Sequence, residues 1–314
     1  MKKILVLTDF SEASHNALAF ARSFFSDSVV NFHLLCANSL EPPIDSANVA
    51  QTTRMNYASQ LHHIMTELYR EATNDWHTYR ASSRPGKPLD VVEQAIREEA
   101  YDLVVIGPQP DETNDLFGNS AIDLIRQLKA NVLVVPGDSE PRLIRQIVLA
   151  ADFANLKNSK LLEPVKELVT LKGATLTLLT IDTPNKAVIT VEREAHIRQF
   201  LLPIVPNIAR LRSPTAKQGI DAFLTDNLVD LLVTIPAGNT RAETRTSNRD
   251  TRSKSFAPAV PLLTLYDDGT NDRPKPVDDS INVVYARHPN YAIAPACSNS
   301  VTVTPATASK SIGE

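Results

Sequence analysis

Two short apolar runs flank an amphipathic segment between Tyr101 and Pro136. The first run covers residues 102–106, is rich in β-branched residues and ends at Gly107, which is typical of a strand buried on both faces. The second run, Val132 to Val135, has the same character. Between them, apolar residues recur at helical spacing: Ala121, Leu124, Ile125 and Leu128. This order predicts a βαβ unit with parallel strands, so the loop after the first strand lies at the carboxyl edge of the sheet, where open α/β folds bind ligands.

The first residues of the chain predict a matching strand and helix. Ile4 to Leu7 is a buried-strand run, and Thr8 and Asp9 follow it. Ser11 is placed to cap a helix. The apolar residues of that helix share one face: Ala17, Phe20, Ala21 and Phe24. Asp9 therefore falls at the carboxyl end of a strand, where it is either a ligand residue or a cap at the helix entry.

The rest of the first half continues as alternating strands and helices. Strands are predicted at Val29 to Ala37 and, more briefly, at Thr78 to Ala81. A helix begins near Ala58, and another begins at Pro88 after a turn at Arg84 to Gly86. Five strands and four helices make up one complete doubly wound α/β domain.

The sequence then starts the same series again. Ile147 to Phe153 (IVLAADF) repeats Ile4 to Phe10 (ILVLTDF), and Val229 to Val233 (VDLLV) repeats Tyr101 to Val105 (YDLVV). Pro261 to Leu265 takes the place of the closing strand. The segments between them read as a helix over 161–169, a strand over 174–181, a helical region over 189–211 interrupted by Pro203 and Pro206, and a helix over 220–228.

This repetition predicts two tandem domains, residues 1–138 and 143–266, followed by a tail over residues 267–314. The tail is polar and rich in Pro, Ser and Thr. It buries too little apolar surface to offset its ordering entropy, so we expect it to be disordered.

Composition narrows the class of protein. The chain has 314 residues, of which 43% are hydrophobic and 22% charged, enough for two ordinary cores. A net charge of -4 gives no reason to expect nucleic acid or an anionic membrane as partner. Two cysteines form no disulfide or metal pattern, and the first apolar run is too short for a signal peptide or a membrane span. We therefore expect a cytoplasmic protein.

The repeated segments resemble the universal stress protein family. The resemblance rests on ILVLTDFSEAS at Ile4 to Ser14, on Gly107 and the pair Gly118-Asn119, and on the closing VLVVP. It implies two doubly wound parallel five-stranded sheets of strand order 3-2-1-4-5, of the Rossmann-like, adenine nucleotide alpha hydrolase-like class. It also implies that the last strands of the two halves, Val132 to Val135 and Leu262 to Leu265, face each other in an intramolecular pseudo-dimer.

Many members of this family hold ATP between the first-strand aspartate and a loop of the form G-x-x-G-x9-G-[ST]. Carried over to this chain, the resemblance implies a candidate adenine-nucleotide site in the first half. Its residues would be Thr8, Asp9, Ala37, Ile106, Gly107, Gly118, Asn119 and Ser120.

The loop departs from that pattern where phosphates would bind. Pro110 replaces the second glycine and removes an amide donor, the loop before Gly118 is two residues shorter, and Asn119 replaces the Ser or Thr. The loop also carries three carboxylates that would repel a triphosphate: Asp111, Glu112 and Asp115. We expect ATP to bind weakly or not at all, and AMP or adenosine to be affected less.

The second copy departs further. Asp152 is kept, but Ile235-Pro236 stands in place of the first glycine. The segment that follows carries arginines spaced by four, four and three residues: Arg241, Arg245, Arg249 and Arg252. If the segment is helical they form one stripe, which is either a solvated face or a site for an anion or an acidic partner.

Other patterns indicate structure rather than chemistry. His63 and Glu67 have the spacing of a surface pair and lack a third metal ligand, and Cys36 lies within an apolar strand as a packed thiol. The leading hypothesis is a non-catalytic tandem stress protein for interaction or signalling, with an unknown protein partner, a possible homodimer and no required cofactor. The alternatives are an ATP- or AMP-binding module through the first half alone and, third, a weak ATPase.

Overall fold

The computed structural model describes residues 1–38, 47–71, 76–108, 127–156, 158–184, 189–235 and 260–267, with side chains described from residue 56 in the second range. These residues belong to one compact unit, Met1–Asn271. The remaining unit, Asp272–Glu314, contains most of the predicted tail and lies outside the described residues.

The first half contains five strands and three described helices. In chain order these are β1 (Lys2–Leu7), α1 (Glu12–Phe24), β2 (Val30–Asn38), α2 (Ala47–Glu71), β3 (Thr78–Pro85), α3 (Pro88–Glu98), β4 (Leu103–Ile106) and β5 (Val132–Val134). β3 is longer than the sequence predicts, because Arg84 and Pro85 still pair with Ala37 and Asn38 on β2.

The second half repeats this order. Its elements are β6 (Gln146–Ala150), a 3-10 turn (Ser159–Leu162) that leads into α4 (Glu163–Lys172), β7 (Thr175–Asp182), α5 (Val191–Leu201), β8 (Asn207–Arg212), α6 (Ala216–Asp226), β9 (Leu231–Thr234) and β10 (Leu262–Thr264).

The predicted helical region over residues 189–211 is wrong in its last part, which contains β8. α5 ends at Leu201, because the prolines at 203 and 206 cannot continue a helix. After Pro206 the residues alternate between the two faces of the sheet. Ile208 packs on one apolar cluster, and Ala209 and Leu211 pack on the other. β8 is therefore the fifth strand of the second half, paired in parallel with β7.

All the described strands form one sheet in the order β3-β2-β1-β4-β5-β10-β9-β6-β7-β8. Within each half the strands are parallel and follow the predicted order 3-2-1-4-5, so the doubly wound fold is confirmed.

The expectation of two separate sheets needs correction at the join. β5 and β10 face each other as predicted, but they also pair antiparallel, with Leu133 opposite Leu263 and Val134 opposite Leu262. Each would otherwise be an edge strand with unpaired backbone N–H and C=O groups, so pairing satisfies both. The two halves share one sheet, so the sheet does not mark where one domain ends and the next begins. The domain boundaries at residues 138 and 143 stay predictions.

The repeated Tyr-Asp and Val-Asp dipeptides have the same structural role in each half. The Asp102 carboxylate accepts a hydrogen bond from the Lys3 backbone N–H at 2.9 Å, and the Asp230 carboxylate accepts one from the Gln146 N–H at 2.9 Å. In return, Lys3 and Gln146 each accept a bond from the backbone N–H of the aspartate. Each aspartate therefore fixes the register between the first and fourth strands of its half.

The core is continuous across the two halves. Each face of the sheet carries one apolar cluster, and each cluster contains residues of both halves, such as Phe24 with Val169 on one face and Val104 with Leu232 on the other. Lys172 adds a polar contact between the halves. Its ammonium lies 2.7 Å from an Asp27 carboxylate oxygen and 5.3 Å from the centre of the Phe24 ring.

The start of α1 approaches the sheet most closely at Gly107, just after β4. Ser11 caps this helix by accepting a hydrogen bond from the Ser14 N–H, as the sequence predicts. A Cβ atom on Gly107 would lie 2.2 Å from the carbonyl oxygen of Ala13 and 2.6 Å from its carbonyl carbon. Only glycine fits here without moving the first turn of α1.

The seam between β5 and β10 can be tested with Leu263→Ala. Leu263 is 7% exposed, so truncation should lower the free energy of unfolding by about 2–4 kcal/mol, within a single transition because the core is shared. Urea unfolding followed by circular dichroism measures this. Leu228→Ala, at a side chain 93% exposed, is the control and should change it by less than about 0.5 kcal/mol. Two separate transitions, with only one shifted, would contradict a shared core.

The close approach at Gly107 can be tested with Gly107→Ala. Because the new methyl group meets backbone, the substitution should cost about 2–3 kcal/mol of stability in the same urea experiment. Gly173→Ala is the matched control. Gly173 has φ of 59°, and a methyl group there would meet no atom within 4 Å, so that change should cost only about 1 kcal/mol. Equal costs at the two positions would show that packing against Ala13 is not what requires Gly107.

Candidate functional site at the carboxyl edge of the first half

The carboxyl ends of β1, β2 and β4 meet at one edge of the sheet. β1 pairs with β2 on one side and with β4 on the other. Five of the predicted site residues lie at this edge: Thr8, Asp9, Ala37, Ile106 and Gly107. The other three lie outside the described residues: Gly118, Asn119 and Ser120.

Asp9 is engaged in the entry to α1. Its Oδ1 accepts a hydrogen bond from the Ser11 N–H at 3.0 Å and another from the Ser11 hydroxyl at 2.5 Å. Ser11 in turn caps the helix, so Asp9 holds the capping residue rather than capping the helix itself. Between them, Phe10 has a φ of 65°, a left-handed conformation that is unusual for a bulky residue.

Thr8 is part of the same local network. Its side chain is buried, its Oγ1 accepts a hydrogen bond from the Phe10 N–H at 3.2 Å, and it lies 3.3 Å from the Ser14 hydroxyl oxygen. Ser14 also donates to the Ser11 carbonyl. Thr8 and Asp9 therefore both stabilise the turn between β1 and α1.

Asn38 is a site residue that the sequence does not predict. It lies at the end of β2, is 4% exposed, and its side-chain Oδ1 has no hydrogen-bond partner within the described part of the chain. Its backbone carbonyl accepts a bond from the Gly86 N–H, which fixes the strand end. A buried amide oxygen without a partner is costly, so Asn38 marks a place where a ligand donor would be favourable. The only signal in the sequence is its place next to Ala37.

The thiol of the neighbouring Cys36 is unreactive. Cys36 is 1% exposed, and burial, together with the negative charge of Asp9, raises the pKa of its thiol to about 12. It is a packed thiol, as the sequence indicates, and not a nucleophile at neutral pH.

The equivalent edge of the second half is built differently. Asp152 takes the place of Asp9, but its carboxylate accepts hydrogen bonds from the backbone and side chain of Asn155, in a turn that precedes the helix. Asp182 takes the place of Asn38 at the end of the second strand. Two carboxylates at this edge disfavour a phosphate there.

Of the remaining sequence predictions, one is confirmed and one lies outside the described residues. His63 and Glu67 form the surface pair that their spacing predicts, 3.5 Å apart, and no group of three potential metal ligands occurs among the described residues. The four arginines at 241, 245, 249 and 252 lie outside the described residues, so the predicted stripe stays a prediction. No described helix is both long and apolar enough to cross a bilayer.

The comparisons with known proteins agree with this architecture. The sequence model of the universal stress protein family matches residues 1–136. Among curated proteins, none matches the chain.

Solved structures extend the likeness of fold to both halves. A universal stress protein from Archaeoglobus fulgidus superposes with a TM-score of 0.64 at 17% identity, covering 84% of this chain and 97% of its own. A putative universal stress protein from Pseudomonas aeruginosa gives 0.54 at 13% identity, with 84% and 93% covered. A functionally unknown protein from the same species also gives 0.54 at 13% identity, with 86% and 94% covered. Residues 1–136 of this chain therefore match the universal stress protein family model, and residues 146–265 repeat the strand order of those residues.

Proposed function

We propose that this chain is a tandem universal stress protein that works without catalysis, by interaction or signalling, and in which the nucleotide site is degenerate. One observation carries the proposal. Two residues of the family pattern lie among the described residues, Asp9 and the loop glycine Gly107, and both have structural roles here. Gly107 is required by the Ala13 carbonyl, and Asp9 organises the Ser11 cap. Keeping these two residues therefore needs no nucleotide to explain it.

The chemistry available at the edge also argues against catalysis. Phosphoryl transfer needs cations to stabilise the phosphate oxygens and a group that orients the attacking oxygen. Asp9 brings a carboxylate to this edge, and the cation opposite Ala37 on β3, Arg84, is already paired with Glu98 at 2.7 Å. The neighbouring thiol of Cys36 is protonated at neutral pH because its pKa is about 12.

The fused sheet supports a role in interaction. In a symmetric dimer the two carboxyl edges would be identical, whereas this chain presents two different ones, with Asp9 and Asn38 on the first and Asp152 and Asp182 on the second. Different edges allow different partners to bind. The arginines at 241, 245, 249 and 252 remain candidates for an anionic or acidic partner of the second half.

A second candidate is an adenosine or AMP module in the first half, and Asn38 favours it. Its buried Oδ1, at the end of β2, accepts no hydrogen bond from the described residues, and an exocyclic amino group is the type of donor it would take. The sequence after β4 also carries three carboxylates, Asp111, Glu112 and Asp115, whose negative charge disfavours a triphosphate. A nucleoside therefore suits this edge better than a triphosphate.

Absence of catalysis is tested by phosphate release from ATP with magnesium. We expect no release above that of an Asp9→Ala variant, because the described edge offers no phosphate clamp. The Asp9→Ala variant should remain folded but less stable by about 1 kcal/mol, since the Ser11 cap loses its support. Turnover by the natural chain that disappears in Asp9→Ala would contradict the proposal.

The second candidate is tested by calorimetric titration with adenosine and ATP. We expect adenosine to bind at least as tightly as ATP, and Asn38→Leu to weaken adenosine about three- to tenfold, the value of one hydrogen bond. Asn31→Leu, at the other end of β2, is the matched control and should leave affinity unchanged. ATP binding much tighter than adenosine would contradict the degenerate phosphate site. Binding of neither would reject the nucleoside module and leave the first proposal standing.

A further inference from the structure

A buried histidine lies on β2, beside the outer strand β3 of the first half and away from the site described above. His33, in the middle of β2, is 5% exposed. Its Nδ1 lies 2.5 Å from the Tyr101 hydroxyl oxygen and its Nε2 lies 2.7 Å from the Ser82 hydroxyl oxygen. The Tyr101 ring also stacks on the imidazole, with centres 5.9 Å apart. The ring therefore ties β2 to β3 through Ser82 and to the segment between α3 and β4 through Tyr101.

Charged groups surround this cluster on its outer side. From β3, Arg80 donates a hydrogen bond to the Tyr101 hydroxyl at 2.9 Å and pairs with Glu99. From β1, Lys3 lies 3.1 Å from Glu99. Arg84, also on β3, pairs at 2.7 Å with Glu98 at the end of α3. The Tyr101 hydroxyl also lies 3.2 Å from a Glu99 carboxylate oxygen. The apolar cluster on this face of the sheet includes Leu5, Leu35 and residues of α3.

The surroundings of His33 favour its neutral imidazole over the charged imidazolium. A neutral imidazole has one donor and one acceptor, and each of the two hydroxyls can supply the complementary role. An imidazolium could donate to both hydroxyls, so its cost is electrostatic rather than a lost hydrogen bond. Burial and the nearby Arg80 guanidinium, together with Arg84 and against the opposing charge of Glu99, lower the pKa of His33 from 6.5 to about 4.

β3 is the strand that could separate from the sheet when His33 becomes charged. It is one of the two outer strands of the described sheet and pairs there only with β2, so it can leave without disturbing the join between β5 and β10. Two of the groups that contact the cluster, Ser82 and Arg80, belong to β3. A charge on His33 therefore acts on an outer strand, where the sheet can open locally.

We propose that His33 is an acid-sensitive latch, and that its protonation releases β3 and α3 from the rest of the sheet. The second half supplies an internal control. By strand register, Thr177, Ala209 and Val229 stand where His33, Ser82 and Tyr101 stand in the first half. None of these three side chains is ionisable, so β8 and α6 should not respond.

The direction of the effect follows from the two pKa values. Between pH 6.5 and about 4 the open state binds the proton and the closed state does not, so closure weakens as pH falls through that range. The rise in the opening equilibrium constant approaches about tenfold for each unit by which pH falls. Between about pH 7 and pH 5 it should total roughly 20-fold, and below about pH 4 it should reach a limit near 300-fold.

Hydrogen exchange of the full chain, read by mass spectrometry and corrected for intrinsic rates, tests the latch. From about pH 7 to about pH 5, protection in β3 and α3 should fall roughly 20-fold, while β8 and α6 keep theirs. In His33→Gln the fall should be absent. His196→Gln, at an exposed histidine of α5, is the matched control and should behave as the natural chain. An equal fall in both halves, or one that persists in His33→Gln, would overturn the proposal.

A measurement on the natural chain covers the case in which His33→Gln does not fold. The ring signals of the histidines can be followed by NMR through the same pH range. One histidine should stay neutral down to about pH 5 and should change together with the amides of β3. If every histidine titrates near its ordinary pKa of 6.5, His33 is not a latch.

Discussion

The antiparallel pairing of β5 with β10 is the contact on which the whole architecture depends. It removes two exposed strand edges, merges two five-stranded sheets into one and lets the apolar cluster on each face run through both halves. Neither half needs to be stable alone when the core is shared. The ion pair between Lys172 and Asp27 adds to this join, but the hydrophobic seam around Leu133 and Leu263 gives it most of its stability.

The two halves share the same framework but differ at their carboxyl edges. Asp102 and Asp230 fix the same register by the same hydrogen bonds, so the strands of both halves follow the same order. At the first carboxyl edge Asp9 supports the helix cap, and the buried Asn38 Oδ1 has no partner among the described residues. At the second edge Asp152 is bonded within a turn. A scaffold that is preserved while its edges diverge suits a protein whose halves bind different things.

The residues that carry the family resemblance are also residues that the fold itself needs. Gly107 makes room for the first turn of α1, and Asp9 supports the cap of the same helix. Each would therefore be retained whether or not a nucleotide binds. Function has to be inferred instead from residues outside the motif, such as Asn38 at one carboxyl edge and His33 on β2 beside β3. The environment of each of these residues is formed by more than one strand.

Local patterns in the sequence are enough to predict the buried strands, the Ser11 cap, the amphipathic helices α1 and α3 and the doubly wound strand order. The helix predicted to begin near Ala58 begins at Ala47, and the one predicted at Ala121 to Leu128 lies largely outside the described residues. Local patterns do not predict β8, because two prolines precede this short outer strand and its pairing with β7, rather than a local pattern, stabilises it. The union of the two sheets appears only once the chain is folded, because pairing of β5 with β10 joins residues about 130 positions apart. The same holds for the buried amide oxygen of Asn38, which has no partner in the part of the chain that the structure describes, and for the place of His33 between Tyr101 and Ser82. Burial and contact across strands are not properties of a local sequence.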